Sequence, residues 1–413
     1  MSNENPDLAS KENFKLDEYY ADLHIHIGRA TSGQAVKITG SKDLTFANIA
    51  KEAAGRKGID MVGIIDCHSP EVQKDIMDCL YAGEMTELEG GGISYRGTTI
   101  VLGSEIEIYE EGKGAAHLLA YFPNLSVMQH FTAWMTKHMK NVNLSSQRIY
   151  VSGITLQEEI YARGGIMIPA HVFTPHKGIY GNVAPRMSEV LDLSMISGVE
   201  LGLSADSEMA GLISELDDFT FVTNSDAHSL GKIGREYNRI RMKEPSFHEL
   251  VLALGYAEGR RVTANYGLNP RLGKYHRTYC LSCSLILDQD QDTVITGACP
   301  YCGGTKKVQG VLDRILEIAD RKEAWMPADR PVYHYQVPLE FIPGLGKATM
   351  KRLLDRFGTE MSILHRASEE ELAEVVGAGM ANQIVQSRNG SLLLTSGGGG
   401  TYGKVAAPST DKT

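Results

Sequence analysis

The chain has 413 residues, a net charge of −10, and 42% hydrophobic and 22% charged residues, enough for two or three domains with a sizeable core. No run approaches the ~18–20 apolar residues that cross a bilayer, and the polar stretch 1–15 lacks the apolar centre of a signal peptide, so a cytoplasmic protein with no membrane partner is expected. The acidic balance excludes a uniformly basic nucleic-acid coat, but not local basic patches.

Residues 1–16 read as a loose arm. From 17 to 270 short apolar runs (61–65, 99–102, 165–169, 198–203, 219–223) alternate with helix-like segments (45–57, 127–138, 155–163, 245–257). That alternation predicts an α/β layout with parallel strands. Asp66, Glu105, His171 and Asp226 fall at strand ends, where an α/β barrel gathers its site. Residues 271–325 hold four cysteines, with an amphipathic helix expected over 308–320. A linker spans 326–338, a compact helical unit 339–388, and a Gly- and Ser-rich tail 389–413 that is expected to be disordered.

The polar residues of the first 270 form a pattern. His24 and His26 stand two apart on a strand, so both point to one face. Asp226 and His228 repeat that spacing late in the chain, and Asp66, His68, Glu105, His117 and His171 lie between. A carboxylate such as Glu105 can bridge two cations. A pair of cations about 3.5–4 Å apart binds a phosphate, lowers the pKa of a water and stabilises the leaving oxygen. Mixed histidine and carboxylate ligands suit zinc, manganese or iron better than calcium.

Asp22-Leu-His24-Ile-His26, Ile-Ile-Asp66-Cys-His68, Gly-Ser-Glu105-Ile-Glu, Pro-Ala-His171 and Asn-Ser-Asp226-Ala-His228 together resemble the PHP (polymerase and histidinol phosphatase) superfamily over residues 17–265. The resemblance implies a distorted (β/α)₇ barrel that hydrolyses phosphoesters with up to three metals. It implies one ion on His24, His26, Glu105 and Asp226, a second on Glu105, His117 and His171, and a third helped by His68 and His228. Asp66 joins this metal set, and Asp226, His171 and Glu105 become the catalytic centre. Two departures concern the third ion: Cys67 separates Asp66 from His68, and residues 28–37 carry no acidic or histidine ligand after the paired histidines.

Cys280-Leu-Ser-Cys283 and Cys299-Pro-Tyr-Cys302 are two CxxC knuckles separated by fifteen residues, a spacing that fits a tetrahedral Cys₄ zinc site. A closed sulfur shell leaves no position for water, so this zinc is expected to be structural. Further on, Ile342-Pro-Gly344-Leu-Gly346-Lys347 resembles a helix-hairpin-helix element, and 375–379 a degenerate partner. Its glycines let backbone amides reach a phosphate at a helix N-terminus, with Lys347 and Lys351 adding charge. Arg271, Lys274, His276 and Arg277 make another basic patch.

The order barrel, Cys₄ module, helical hairpins, together with 265–276, resembles the endonuclease Q family of DNA repair nucleases. That resemblance implies double-stranded DNA as partner and a nick on the 5′ side of deaminated bases (uracil, hypoxanthine, xanthine) and abasic sites. Zinc would be expected in the module and the barrel, with Mg²⁺ or Mn²⁺ for catalysis. A base pocket would lie between barrel rim and zinc module, with Tyr275 and His276 as candidates. Two other readings compete: a PHP-type phosphatase acting on a small phosphorylated metabolite, and a non-catalytic DNA-damage binder. No docking peptide for a clamp stands out.

Overall fold

Residues 15–287, 297–395, 397 and 399–405 are described by a computed structural model. The apolar runs become the strands of a barrel. β1 (Asp17–Ile25) pairs in parallel with β2 (Met61–Ile64), and β2 in parallel with β5 (Thr98–Tyr109). β6 (Ala115–Phe122) returns antiparallel along β5, and β7 (Ile166–Pro169) runs antiparallel to β6. β8 (Val199–Glu200) and β9 (Phe221–Val222) form a parallel pair.

Backbone hydrogen bonds close the ring. Val172 N–H donates to the Glu200 carbonyl (3.0 Å), joining the end of β7 to β8. After β9, Ala227 N–H donates to the His24 carbonyl (3.2 Å) and His26 N–H to the Ala227 carbonyl (3.1 Å), returning the chain to β1. Seven strands therefore enclose the barrel, and the antiparallel pairings of β6 distort it from the all-parallel pattern. Leu23, Met61, Val101, Tyr121, Ile168 and Val222, one from each of six strands, fill its interior, with Phe247 and Leu250 closing one end. Burying each such side chain contributes about 1.5–3 kcal/mol. Gly63 lets β2 press against β1, because a Cβ there would collide with the Leu23 backbone.

The expected helices form with small shifts at their ends, as side-chain caps set them. Asn124, Ser152 and Ser246 cap Leu125–Met135, Gly153–Tyr161 and Phe247–Leu254. The segment expected as one helix over 45–57 is an α-helix Phe46–Lys51 that widens into a π-helical turn Glu52–Lys57, ending at Gly58 with φ 74°. β3 (Thr86–Glu87) and β4 (Ile93–Tyr95) extend the sheet beside β5. On the other side of β1, β10 (Tyr237–Met242) and β11 (Arg261–Gly267) add antiparallel strands.

In the cysteine module β12 (Tyr279–Cys280) pairs with β13 (Lys307–Val308), and the helix Val311–Ile318 follows. A buried Arg277–Asp313 ion pair (3.1 Å) ties that helix to the approach to the first knuckle. The stretch expected as an unstructured linker contributes β14 (Val332–Tyr335), which adds parallel to β11, because its apolar and aromatic residues find a free sheet edge there. Four helices, Lys347–Phe357, Glu360–His365, Glu369–Val376 and Ala378–Arg388, make the C-terminal unit. It is anchored to the barrel by a buried Lys57–Glu360 ion pair (2.9 Å).

The tail differs from expectation. β15 (Leu394–Thr395) pairs antiparallel with β16 (Lys404–Val405). Leu394 and Val405 pack on Leu268, Leu272 and Val337. High glycine content suggested disorder, yet here it permits close packing: a Cβ on Gly403 would collide with the Thr395 carbonyl. The arm at 1–14, the module's 288–296, and residues 396, 398 and 406–413 lie outside the described residues.

Candidate active site

β1 delivers His24, His26 follows directly after its end, and both are fully buried. β5 supplies Glu105 and β6 supplies His117. His171 follows β7, and Asp226 and His228 follow β9. His171 and Asp226 have φ of 29° and 44°, a left-handed region that non-glycine residues visit at a cost and that clusters at functional sites.

The polar atoms converge on one point. Glu105 Oε1 lies 2.9 Å from His117 Nδ1, 3.4 Å from His171 Nε2 and 3.5 Å from His24 Nε2. Its other oxygen lies 3.6 Å from His26 Nε2. Asp226 Oδ1 is 3.4 Å from His26 Nε2, 3.5 Å from His24 Nε2 and 3.6 Å from His228 Nδ1. Ligand atoms set about 2.1 Å from a tetrahedral cation stand about 3.4 Å apart, so these spacings fit metal coordination. Three overlapping triads have all their ligand atoms within 4.8 Å of one another: His24–His26–Glu105, Glu105–His117–His171, and His26–Asp226–His228. Among the described residues, Nε2 of His24 and of His26, and Nδ1 of His117 and of His171, are buried without a hydrogen-bond partner. Such groups are costly unless something occupies them. The chemistry and spacing of these residues therefore fit bound cations.

Charge supports the same conclusion. Burial opposes ionisation of Glu105, but His117, Lys37 and His171 hold it well below the usual carboxylate range. Burial likewise opposes ionisation of Asp226, which His24, His26 and His228 hold well down. Burial keeps His228 neutral, its pKa pushed down to about 4. His24 and His26 differ: burial opposes their charge, but Glu200 and Asp226 raise His24 well above the usual imidazole range, and Asp66 and Asp226 raise His26, so a cation bound among these carboxylates would take the place of their protons.

Asp66 and His68 take other places. Asp66 Oδ2 meets His26 Nδ1 at 3.1 Å and accepts from Ile27 N–H at 2.8 Å. It orients a histidine from behind rather than joining the triads. Both ring nitrogens of His68 are engaged, Nδ1 with Ser104 Oγ (2.9 Å) and Nε2 with the Leu144 carbonyl (3.3 Å). Burial pushes its pKa down, and it buttresses the loop instead of reaching the cluster. The intervening Cys67 is buried and points back to the Ile64 carbonyl.

Sequence reasoning missed Glu200. Its carboxylate meets His24 Nδ1 at 2.9 Å, fixing which nitrogen faces the cluster. The signal was present as a carboxylate inside the apolar run 198–203. Also missed was Lys37, whose ammonium bonds Ser146 Oγ (2.6 Å) and lies 3.4 Å from Glu105.

A cavity of about 280 Å³ opens over the cluster, walled by Lys37, Lys177, Lys274, Tyr275 and Tyr402 among others. Of the basic patch at 271–277 and the base-pocket candidates Tyr275 and His276, Lys274 and Tyr275 reach this cavity. Arg271, His276 and Arg277 line a larger neighbouring cavity of about 1300 Å³ instead. Gly344 has φ 84°, Gly346 caps the helix Lys347–Phe357, Lys347 is exposed, and Lys351 pairs with Asp355 at 2.6 Å.

In the module the four cysteine sulfurs gather. Cys280–Cys302 and Cys283–Cys299 each stand 3.7 Å apart. Sulfurs about 2.3 Å from a tetrahedral zinc would be about 3.8 Å apart, and this distance excludes a disulfide at about 2.05 Å.

No family model matches the chain. It is 50% identical over 394 residues to the uncharacterised protein YqxK of Bacillus subtilis (strain 168), covering 94% of this chain and all of that one. The crystal structure of the lesion-specific endonuclease PfuEndoQ from Pyrococcus furiosus superposes with a TM-score of 0.81 and 32% identity, over 95% of this chain and 96% of that one. An endonuclease Q bound to a 27-mer duplex with an abasic lesion at its active site gives the same score and identity, over 95% and 97%. With a relative above 30% identity matched along nearly its whole length, and with barrel, cysteine module and helical unit all in place, the chain belongs to the endonuclease Q family.

Proposed function

We propose that the protein is a DNA repair endonuclease that hydrolyses the phosphodiester on the 5′ side of deaminated bases (uracil, hypoxanthine, xanthine) and abasic sites, leaving a 3′-hydroxyl and a 5′-phosphate. The observation that carries this reading is the convergence of seven histidine and carboxylate side chains under a lysine-walled cavity in a chain of this family. Divalent cations there would supply a lowered water pKa and neutralise charge on the phosphoryl oxygens. His24, His26, Glu105, His117, His171, Asp226 and His228 would hold them, with Glu105 shared between sites. Mg²⁺ or Mn²⁺ in the barrel and Zn²⁺ on Cys280, Cys283, Cys299 and Cys302 is the proposed metal complement.

The chain's own residues do the rest. Lys37 and Lys274 place positive charge on the cavity wall, where a phosphate enters. Asp66 and Glu200 keep His26 and His24 turned inward. A deaminated base pairs poorly, so extruding it from the duplex costs less than extruding a normal base. The exposed hairpin of Gly344, Gly346 and Lys347 would grip duplex backbone without reading sequence.

The test is nicking of end-labelled duplexes carrying one uracil, hypoxanthine or abasic site with Mg²⁺ or Mn²⁺. A single cut 5′ of the lesion is expected, absent on undamaged duplex. Asp226→Ala should lose at least about a thousandfold in rate while still shifting DNA in a gel. Full activity in that variant would overturn the site assignment. Phosphate release from a small phosphomonoester without any nick would point to a metabolic phosphatase.

A further inference from the structure

The described C-terminal segment is built against the active-site cavity. Three main-chain hydrogen bonds tie it to residues 271–274: Gly397 N–H to the Arg271 carbonyl (2.7 Å), Gly403 N–H to the Leu272 carbonyl (3.0 Å) and Gly400 N–H to the Lys274 carbonyl (3.2 Å). Glycine is needed for this approach: a Cβ on Gly397 would lie 2.7 Å from the Gly273 carbonyl oxygen, and Gly399, at φ 59°, rests against the Tyr279 ring.

The hairpin delivers Tyr402 to the wall of the cavity that also holds His26, Glu105, His171 and Asp226. Its hydroxyl accepts a hydrogen bond from Arg235 Nη1 at 2.9 Å. Lys274 Nζ lies over the ring, 4.6 Å from its centre. Arg235 is itself buried, and its Nε donates to the Ser225 carbonyl at 2.7 Å, one residue before Asp226. The ring is thus held at both hydroxyl and face, close to the metal-binding loop.

We propose that β15–β16 is a substrate-binding element and that Tyr402 is a substrate-contacting residue, its ring forming the surface on which the nucleotide flanking the scissile phosphate stacks. This rests on the nuclease reading above. A nucleotide presents an anion beside a flat aromatic face. Lys274 and Tyr402 present a cation beside a flat aromatic face, in the cavity where the phosphate must be bound. Stacking on an aromatic side chain tolerates any base, which suits a neighbour of variable sequence.

The test uses full-length, metal-loaded protein with Tyr402→Ala and Tyr402→Phe. Steady-state nicking of a lesion duplex is measured, along with quenching of 2-aminopurine placed next to the lesion in that duplex. Tyr402→Ala should raise KM roughly tenfold or more, by more than it changes kcat, and should lose the quenching. Tyr402→Phe should keep KM within about twofold and retain the quenching, since the ring survives. Unchanged KM and quenching in Tyr402→Ala would overturn the proposal. So would a Tyr402→Ala enzyme faster than wild type, which would make the hairpin an inhibitory plug. Metal lost from Tyr402→Ala, measured by plasma mass spectrometry, would assign the residue to site assembly through Arg235 and equally overturn it. Failure of the nuclease reading looks different, because wild type itself would then cut no lesion duplex, and the proposal would fall with it.

Discussion

The barrel cluster and the cysteine module both gather metal ligands, yet they are built on opposite terms. The barrel cluster mixes nitrogen and oxygen atoms from strands spread over two hundred residues, shares one carboxylate between triads, and lies under a cavity. The module uses four sulfurs from two short knuckles, gathered around one point, with Cys280 and Cys299 buried and Cys302 exposed. An open, shared, oxygen-containing set leaves room for substrate and water. A closed thiolate shell leaves none and stores its binding energy as folding energy.

Removing ligands should break the two regions differently. Under the proposed metal complement, Cys299→Ser is expected to weaken metal binding by the cysteine module and lower the melting temperature, while metal binding by the barrel cluster is kept. Zinc-release colorimetry and calorimetry would check this; loss of barrel metal as well would erase the contrast. Glu200→Gln should cost about 10–100-fold in barrel metal affinity or nicking rate, because His24 loses the group that turns it. Metal titration with Mn²⁺ reads this directly, and the module's zinc should be unaffected.

A second comparison lies among the buried carboxylates. Glu105 and Asp226 are held ionised, whereas burial pushes Glu236 up to about 8. One of its oxygens accepts from Leu268 N–H at 2.6 Å and the other has no hydrogen-bond partner. Its folded pKa exceeds the unfolded value of about 4.3, so the folded state keeps a proton that the unfolded chain releases. Stability from this group is therefore full below about pH 4 and is lost as pH rises to about 8. Glu236→Gln should flatten that slope and stabilise the protein at pH 8 by up to several kcal/mol, at about 1.4 kcal/mol per pKa unit, measured by urea unfolding at pH 5 and pH 8. An unaltered slope would mean that Glu236 is ionised throughout. The smallest effect belongs to the surface: Lys347→Ala should weaken duplex binding about two- to threefold for any sequence and reduce its salt dependence by about one counterion.

Most of the cluster was legible as a set. A histidine or carboxylate in an otherwise apolar strand is a weak signal alone; the order of His24, His26, Glu105 and Asp226 along the chain made the pattern, and the part of His117 came from the family resemblance. Spacing alone could not tell a ligand from its support, so Asp66 and His68 were placed among the ligands when they brace the loops behind. Glu200 was hidden by the shortness of β8, two residues between irregular segments. Lys37, Arg235 and Tyr402 were invisible for a different reason: each reaches the site from a loop or hairpin whose course depends on long-range packing. Composition misled most in the tail, where glycine serves close approach rather than flexibility.

The ring closes at Ala227, whose peptide is bonded to the chain at both His24 and His26. The seam of the barrel and the metal cluster are therefore the same place. Ligands from residue 24 to residue 228 meet only when the last barrel strand returns to the first. A chain still emerging from the ribosome, or one whose barrel has sprung open, carries the parts of a nuclease without the nuclease. Completion of the fold is its own safety catch.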